Sequence, residues 1–167
     1  MIKSFNGKKP RIAQTALVSD GAYILGDVII GENSSIWPGV VIRADFDEAR
    51  IGSNVHIEDN TVCHGGPLVI GDNVQIGHGA IIDGPKIGSH VLIGNNATVL
   101  VDAEIGDYCL IGANALVRAG MKVPSGSFVI GVPAKIKGEI SEKQLALIEE
   151  KLTSYAALVK RYKEQGF

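Results

Sequence analysis

Apolar residues recur at every sixth position along most of the chain. Val18, Ile24, Ile30, Ile36 and Ile42 open the series, Ile51, Ile57 and Cys63 continue it, and Ile70, Ile76 and Ile82 follow. One residue is then dropped, and the series runs from Ile87 through Ile93, Val99, Ile105, Ile111, Val117 and Val123 to Val129 without another slip. A period of six fits neither the stripe of an amphipathic helix nor the alternation of a long strand. It fits a short strand followed by a corner, with three such units closing a triangular coil of about eighteen residues. The spacing therefore predicts an all-β solenoid, a parallel β-helix whose apolar residues point into one continuous column. Gly31, Gly52, Gly71, Gly77, Gly88, Gly94, Gly106 and Gly112 each follow an inward residue; they are expected at corners, where the backbone needs conformational freedom.

The register breaks twice. Three extra residues lie between Ile42 and Ile51, in the segment Arg43 to Arg50, and one lies after Cys63, at Gly65 to Pro67. Both leave comparable corners, and corner insertions in a solenoid often form binding surfaces. After Val129 the repeat gives way to Gly131-Val132-Pro133-Ala134, and Ser141 with Gln144 three residues on has the form of a capping box. Leu145, Ile148, Leu152, Tyr155, Val159 and Tyr162 then recur at helical spacing. The expected organisation is one domain, a β-helix over 1–135 with a packing helix over 141–165, the helix lying on its own prism or on a neighbouring subunit.

Composition narrows the partners. Lys and Arg total 16 against 18 Asp and Glu in 167 residues, a balance without the basic footprint of a nucleic-acid or anionic-membrane binder. Met1 to Arg11 is polar and basic with no apolar run, so neither a signal peptide nor a membrane span is expected, and the expected location is cytoplasmic. Cys63 and Cys109 have no metal-type spacing and are expected as buried, reduced thiols. A small-molecule partner is the reading that remains.

The register also places the four histidines. His64 follows Cys63 by one position and Asp83 follows Ile82 by one position, on the same wall of consecutive coils, so the two should stack at one corner about 4.8 Å apart. Arg43 occupies the same column one coil earlier. His78 lies two positions after Ile76, above Asp59 and away from His64. Within one subunit the two histidines do not meet; around a threefold axis, one subunit's His78 can face the next subunit's His64 and Asp83, giving a site repeated three times. His56 and His90 are expected exposed or half-buried without function, and Trp37 and Pro38 at an early corner are expected to pack.

The runs Ile42-Arg43-Ala44-Asp45, Asn54 to His64 (NVHIEDNTVCH) and Ile76-Gly77-His78-Gly79-Ala80, with the ending Gly-Val-Pro-Ala-Lys at Lys135, resemble the gamma-class carbonic anhydrases along nearly the whole chain. The resemblance implies a left-handed coil, a homotrimer, and a zinc ion, with iron or cobalt as substitutes, held between subunits for hydration of CO2 to bicarbonate. It assigns His64, His78 and Asp83 to the metal, with Asp83 standing where the family has a third histidine. It assigns Arg43, Asp45 and Asp59 to organising the interface and the site, and puts Glu58 where the family favours a Gln that orients hydroxide. Two histidines and a carboxylate remain a recognised catalytic zinc set and also the facial triad of non-haem iron. The carboxylate removes one unit of positive charge, which makes a bound water a weaker acid. Gly65, Gly66 and Pro67 stand where the family archetype has acidic proton-shuttle loops, leaving Asp47 and Glu48 as substitutes. Two alternatives share the fold: a hexapeptide-repeat acyltransferase using CoA, for which the longer acceptor loop is missing, and a non-catalytic trimeric metal-binding protein silenced by Asp83.

Overall fold

The computed structural model describes residues 1–167 and shows why the six-residue period works. Three parallel ladders form the walls of a prism. The first stacks Ile24 on Ile42, then Cys63, Ile82, Val99 and Val117. The second stacks Val18 on Ile36, Ile57, Ile76, Ile93, Ile111 and Val129. The third stacks Ile12 on Ile30, Ile51, Ile70, Ile87, Ile105 and Val123. Apart from Val18, every residue of the six-residue series is buried, and together with Val and Ala residues at the corners they form one core cluster. The coils wind left-handed. Cys63 is fully buried in the column and its thiol is pushed up to about 12 by burial, so it is a packing residue.

The repeat glycines do something other than expected. None of Gly31, Gly52, Gly71, Gly77, Gly88, Gly94, Gly106 or Gly112 has a positive φ. A Cβ on Gly52 would lie 2.6 Å from the carbonyl oxygen of Gly71, and one on Gly71 would lie 2.8 Å from the carbonyl carbon of Gly88. Glycine is required there because successive coils approach too closely for a side chain. Conformational freedom is needed instead at positions held by Asn33, Asn54, Asn60, Asn73, Asn96 and Asn114, all at φ near +60°. Asparagine tolerates that conformation better than other side-chain-bearing residues.

The two register breaks sit where the sequence puts them. Strand Val41–Ile51 runs through a corner, pairing up to Ala44 with Gly26 and resuming at Ala49 with Val28, so that Asp45 to Glu48 bulge outward. On the next coil Gly65 to Pro67 leave the same corner, between the Ile42–Cys63 and Ala49–Leu68 pairs. The first and third walls thereby merge into one twelve-stranded sheet, while the second stays separate.

At the far end, Lys135–Glu139 turns back and pairs antiparallel with Ser127–Ile130. Helix Glu142–Glu164 follows, with the capping box of Ser141 and Gln144 formed in both directions. It packs on the second wall of its own prism, where Val159, Tyr155 and Leu158 meet Leu17 and Trp37, and Ile148 is fully buried. Trp37 makes edge-on contacts with Tyr155 and Tyr162 at 5.7 and 5.0 Å between ring centres, the geometry aromatic pairs favour. No helix is long and apolar enough to cross a membrane.

Candidate functional site

The first wall carries polar groups at both of its edges. At the edge toward the bulges, Asp83 and His64 are direct register partners on neighbouring strands, as the spacing predicts. Asp45, in the outward bulge, receives His64 Nε2 at 3.1 Å on one oxygen and Arg43 Nη1 at 2.8 Å on the other. Burial works against the Asp45 carboxylate, but the His64 hydrogen bond together with the Arg43 charge holds its pKa below the usual value. Arg43 thus reaches the imidazole through Asp45, and Phe46 lies against the same ring at 5.7 Å. Asp83 takes part in no ion pair or side-chain hydrogen bond, so both of its oxygens remain available next to His64.

The Asp83 carboxylate occupies space that a glycine leaves open. Gly65 has φ +108°, and a Cβ on it would strike Asp83 Oδ1 and lie 2.9 Å from the backbone nitrogen of Gly84. Gly65→Ala is therefore expected to push Asp83 off this position and to cost about 1–3 kcal/mol through the positive φ. The displacement is read as a shift of the Asp83 carboxyl carbon resonance, which Gly66→Ala, with nothing within 4 Å, leaves in place.

The opposite edge of the wall is built around His78, in the Gly77-His78-Gly79-Ala80 corner. His78 is about half exposed, with Nε2 2.7 Å from Glu58 Oε2 and Nδ1 3.1 Å from Asp59 Oδ2. Asp59 lies under His78, as the register implies. Glu58 is buried and its other oxygen accepts from Gln75 Nε2. Tyr155 reaches this edge from the helix, and burial followed by the charge and hydrogen bond of Glu58 pushes its hydroxyl pKa upward.

Gln75 and Tyr155 were not legible as site residues. One signal existed: in the column immediately before the inward residue of the second wall, Ser35, His56 and Gln75 are polar while Leu92, Leu110 and Phe128 are apolar. The expectation that His56 is exposed or half-buried is overturned, because the helix lies over that column and leaves it 1% exposed. His90 is half-buried and stacks on Tyr108 at 4.7 Å.

No group of three His, Cys, Asp or Glu side chains in a single chain is placed to hold a metal ion. His64 and Asp83 lie on one edge of a wall and His78 on the other; imidazole and carboxylate are donors that suit a divalent cation, but one chain does not bring these three together. The fold defines a hexapeptide-repeat protein whose candidate donors lie at opposite edges of one wall. A family model for the bacterial transferase hexapeptide (six repeats) matches residues 9–44 and 84–119. A probable carbonic anhydrase of Methanocaldococcus jannaschii is 45% identical over 150 residues, spanning 88% of this chain and 94% of that protein. The mitochondrial gamma carbonic anhydrase 1 of Arabidopsis thaliana is 34% identical over 164 residues, 93% of this chain but only 60% of that longer protein. A Bacillus cereus crystal structure described as a putative acetyltransferase superposes with a TM-score of 0.96 at 36% identity, over 98% of this chain and 97% of that one. The chain belongs to the gamma-class carbonic anhydrase family.

Proposed function

We propose that the protein is a metal-dependent hydratase of carbon dioxide, active as a homotrimer in which His64 and Asp83 of one subunit and His78 of the partner subunit hold zinc. The observation that carries this reading is the pairing of His64 with an unengaged Asp83 on adjacent strands of one wall edge, with His78 on the other edge of the same wall. When bound, the zinc would activate water and stabilise the developing bicarbonate charge. The chain's own residues orient and exchange protons around it. Arg43 fixes Asp45, and Asp45 fixes the His64 ring, an outer pairing of the kind that sets imidazole direction at metal sites. Glu58 supplies an acceptor for the attacking water, in the place where the family favours a Gln. Asp47, in the exposed bulge beside Asp45, is an acidic group from which a proton can pass to solvent. Nε2 of each histidine faces a carboxylate oxygen, so zinc binding through that atom competes with the Asp45 or Glu58 contact.

The test is to purify the protein without chelators, measure metal per chain and oligomeric state, and assay CO2 hydration for wild type, His64→Ala and Asp83→His. The expected result is a trimer with about one metal per chain, and a fall in hydration of at least about a hundredfold in His64→Ala. A wild type that takes up no metal, with uptake and hydration both appearing in Asp83→His, sinks the proposal and leaves the non-catalytic reading. Acyl transfer inhibited by free CoA, without hydration, would favour the acyltransferase reading instead.

A further inference from the structure

A row of polar side chains runs beneath the C-terminal helix from Trp37 to the His78 edge. Trp37 Nε1 donates to Ser35 Oγ at 2.9 Å, and Ser35 Oγ lies 2.8 Å from His56 Nδ1. An indole nitrogen only donates, so the serine oxygen accepts from Trp37; Oγ has no third partner, and its single proton is satisfied only when it is directed to His56 Nδ1. Nδ1 is then the acceptor of the ring, and the ring proton sits on Nε2.

Two buried side-chain atoms in the whole chain lack a partner: His56 Nε2 and Gln75 Oε1. Both residues are 1% exposed, and they are direct register partners on neighbouring strands. A donor without an acceptor and an acceptor without a donor, one strand spacing apart, satisfy each other with a small side-chain adjustment. Such a contact would also settle the amide. With Oε1 turned to His56, Gln75 Nε2 points at Glu58 Oε1, as observed. The flipped amide would set its oxygen against the Glu58 carboxylate and its NH2 against the His56 N–H. Glu58 is left with Oε2 directed at His78 Nε2, 2.7 Å away, and the Tyr155 ring closes over His56 at 5.6 Å.

We propose that His56 and Gln75 are positioning residues for Glu58: His56 donates from Nε2 to Gln75 Oε1, which locks the amide so that it holds Glu58 toward His78. The row begins with an indole packed against the helix, so the helix is coupled through five side chains, Trp37, Ser35, His56, Gln75 and Glu58, to a candidate metal ligand. The consequence for metal binding rests on the metal-dependent reading above, whereas the hydrogen-bond row does not.

Two measurements test it. In uniformly ¹⁵N-labelled wild type, long-range ¹H–¹⁵N correlation is expected to show His56 as the Nε2–H tautomer, with the Gln75 side-chain NH2 slow to exchange. In Gln75→Leu, the His78 ring resonances are expected to shift and Zn²⁺ affinity, by competition with a chromophoric chelator, to rise, because a Glu58 no longer held toward His78 competes less for its Nε2. His56→Phe should shift the same His78 resonances, and His56→Gln, which restores an N–H donor, should bring them back. A His56 carrying its proton on Nδ1, or His78 resonances unmoved in Gln75→Leu, overturns the proposal. Should wild type take up no zinc, the metal-dependent reading fails, while the tautomer and the His78 shift still decide the positioning role.

Discussion

Gly52→Ala is expected to destabilise the protein by more than about 4 kcal/mol, the range reached when a substitution forces backbone apart in a close-packed interior. The new Cβ would lie 2.6 Å from the Gly71 carbonyl oxygen and 2.7 Å from its carbonyl carbon, and would also strike the Asp72 carboxylate. The side chain could turn away, but backbone of the next coil cannot, because Gly71 is held by its own hydrogen bond to Ile87. Separating the two coils at that corner opens the Ile51–Ile70 step of the core. Against a typical total stability of about 5–15 kcal/mol, the variant should unfold at a far lower urea concentration than wild type. Gly66→Ala is the internal control and should stay within about 0.5 kcal/mol. Equal midpoints for the two variants would show that coil spacing is not what these glycines protect.

Acidification is expected to remove up to about 3 kcal/mol of stability as pH falls from about 6.5 toward 4, with His56 as the cause. Burial pushes the folded His56 pKa down to about 4 from an ordinary 6.5. Between these values the unfolded chain takes up a proton that the folded chain refuses, so acid favours unfolding, and above the window the two states carry the same charge. The groups facing the ring are Ser35, Tyr155 and Gln75, none of which is charged at these pH values. Asp27, Asp45 and Glu104 have pKa values lowered by their ion pairs, so their stabilisation is lost only at more acidic pH than their ordinary values. Urea titrations of wild type and His56→Gln between about pH 2 and 8 separate the two effects. The variant should lose the slope between about 6.5 and 4 while keeping the steeper acid limb; a slope unchanged by the substitution would assign it elsewhere.

The repeat made the prism, the burial of nearly every sixth residue, the bulges at one corner and the helix with its capping box readable in advance, because each depends on local spacing. The stacking of His64 on Asp83 and of His78 on Asp59 followed from the same count. What the count missed depends on contacts between coils or between the prism and its helix. The glycines look like corner residues in one dimension, and only the approach of the next coil shows that they are spacers. His56 looks like the end of a unit until the helix covers it. Gln75 and Tyr155 enter the site through Glu58, a partner separated from them by seventeen residues in one case and by most of the chain in the other. His64 with Asp83 and His78 lie at opposite edges of one wall, so no single chain brings the three together.

The antiparallel return of Lys135–Glu139 bears on how the prism ends. A parallel solenoid is an unfinished lattice: its last coil offers the same pattern of donors and acceptors that the coil before it offered, and another copy could continue the stack into a filament. The returning strand reverses direction on the second wall and presents five exposed residues with Lys135, Lys137 and Glu139 among them. Gly131 and Ala134 cover the first wall by bonding to Leu116. The same short segment that leads into the helix therefore acts as a terminator, closing that end of the prism to a further coil.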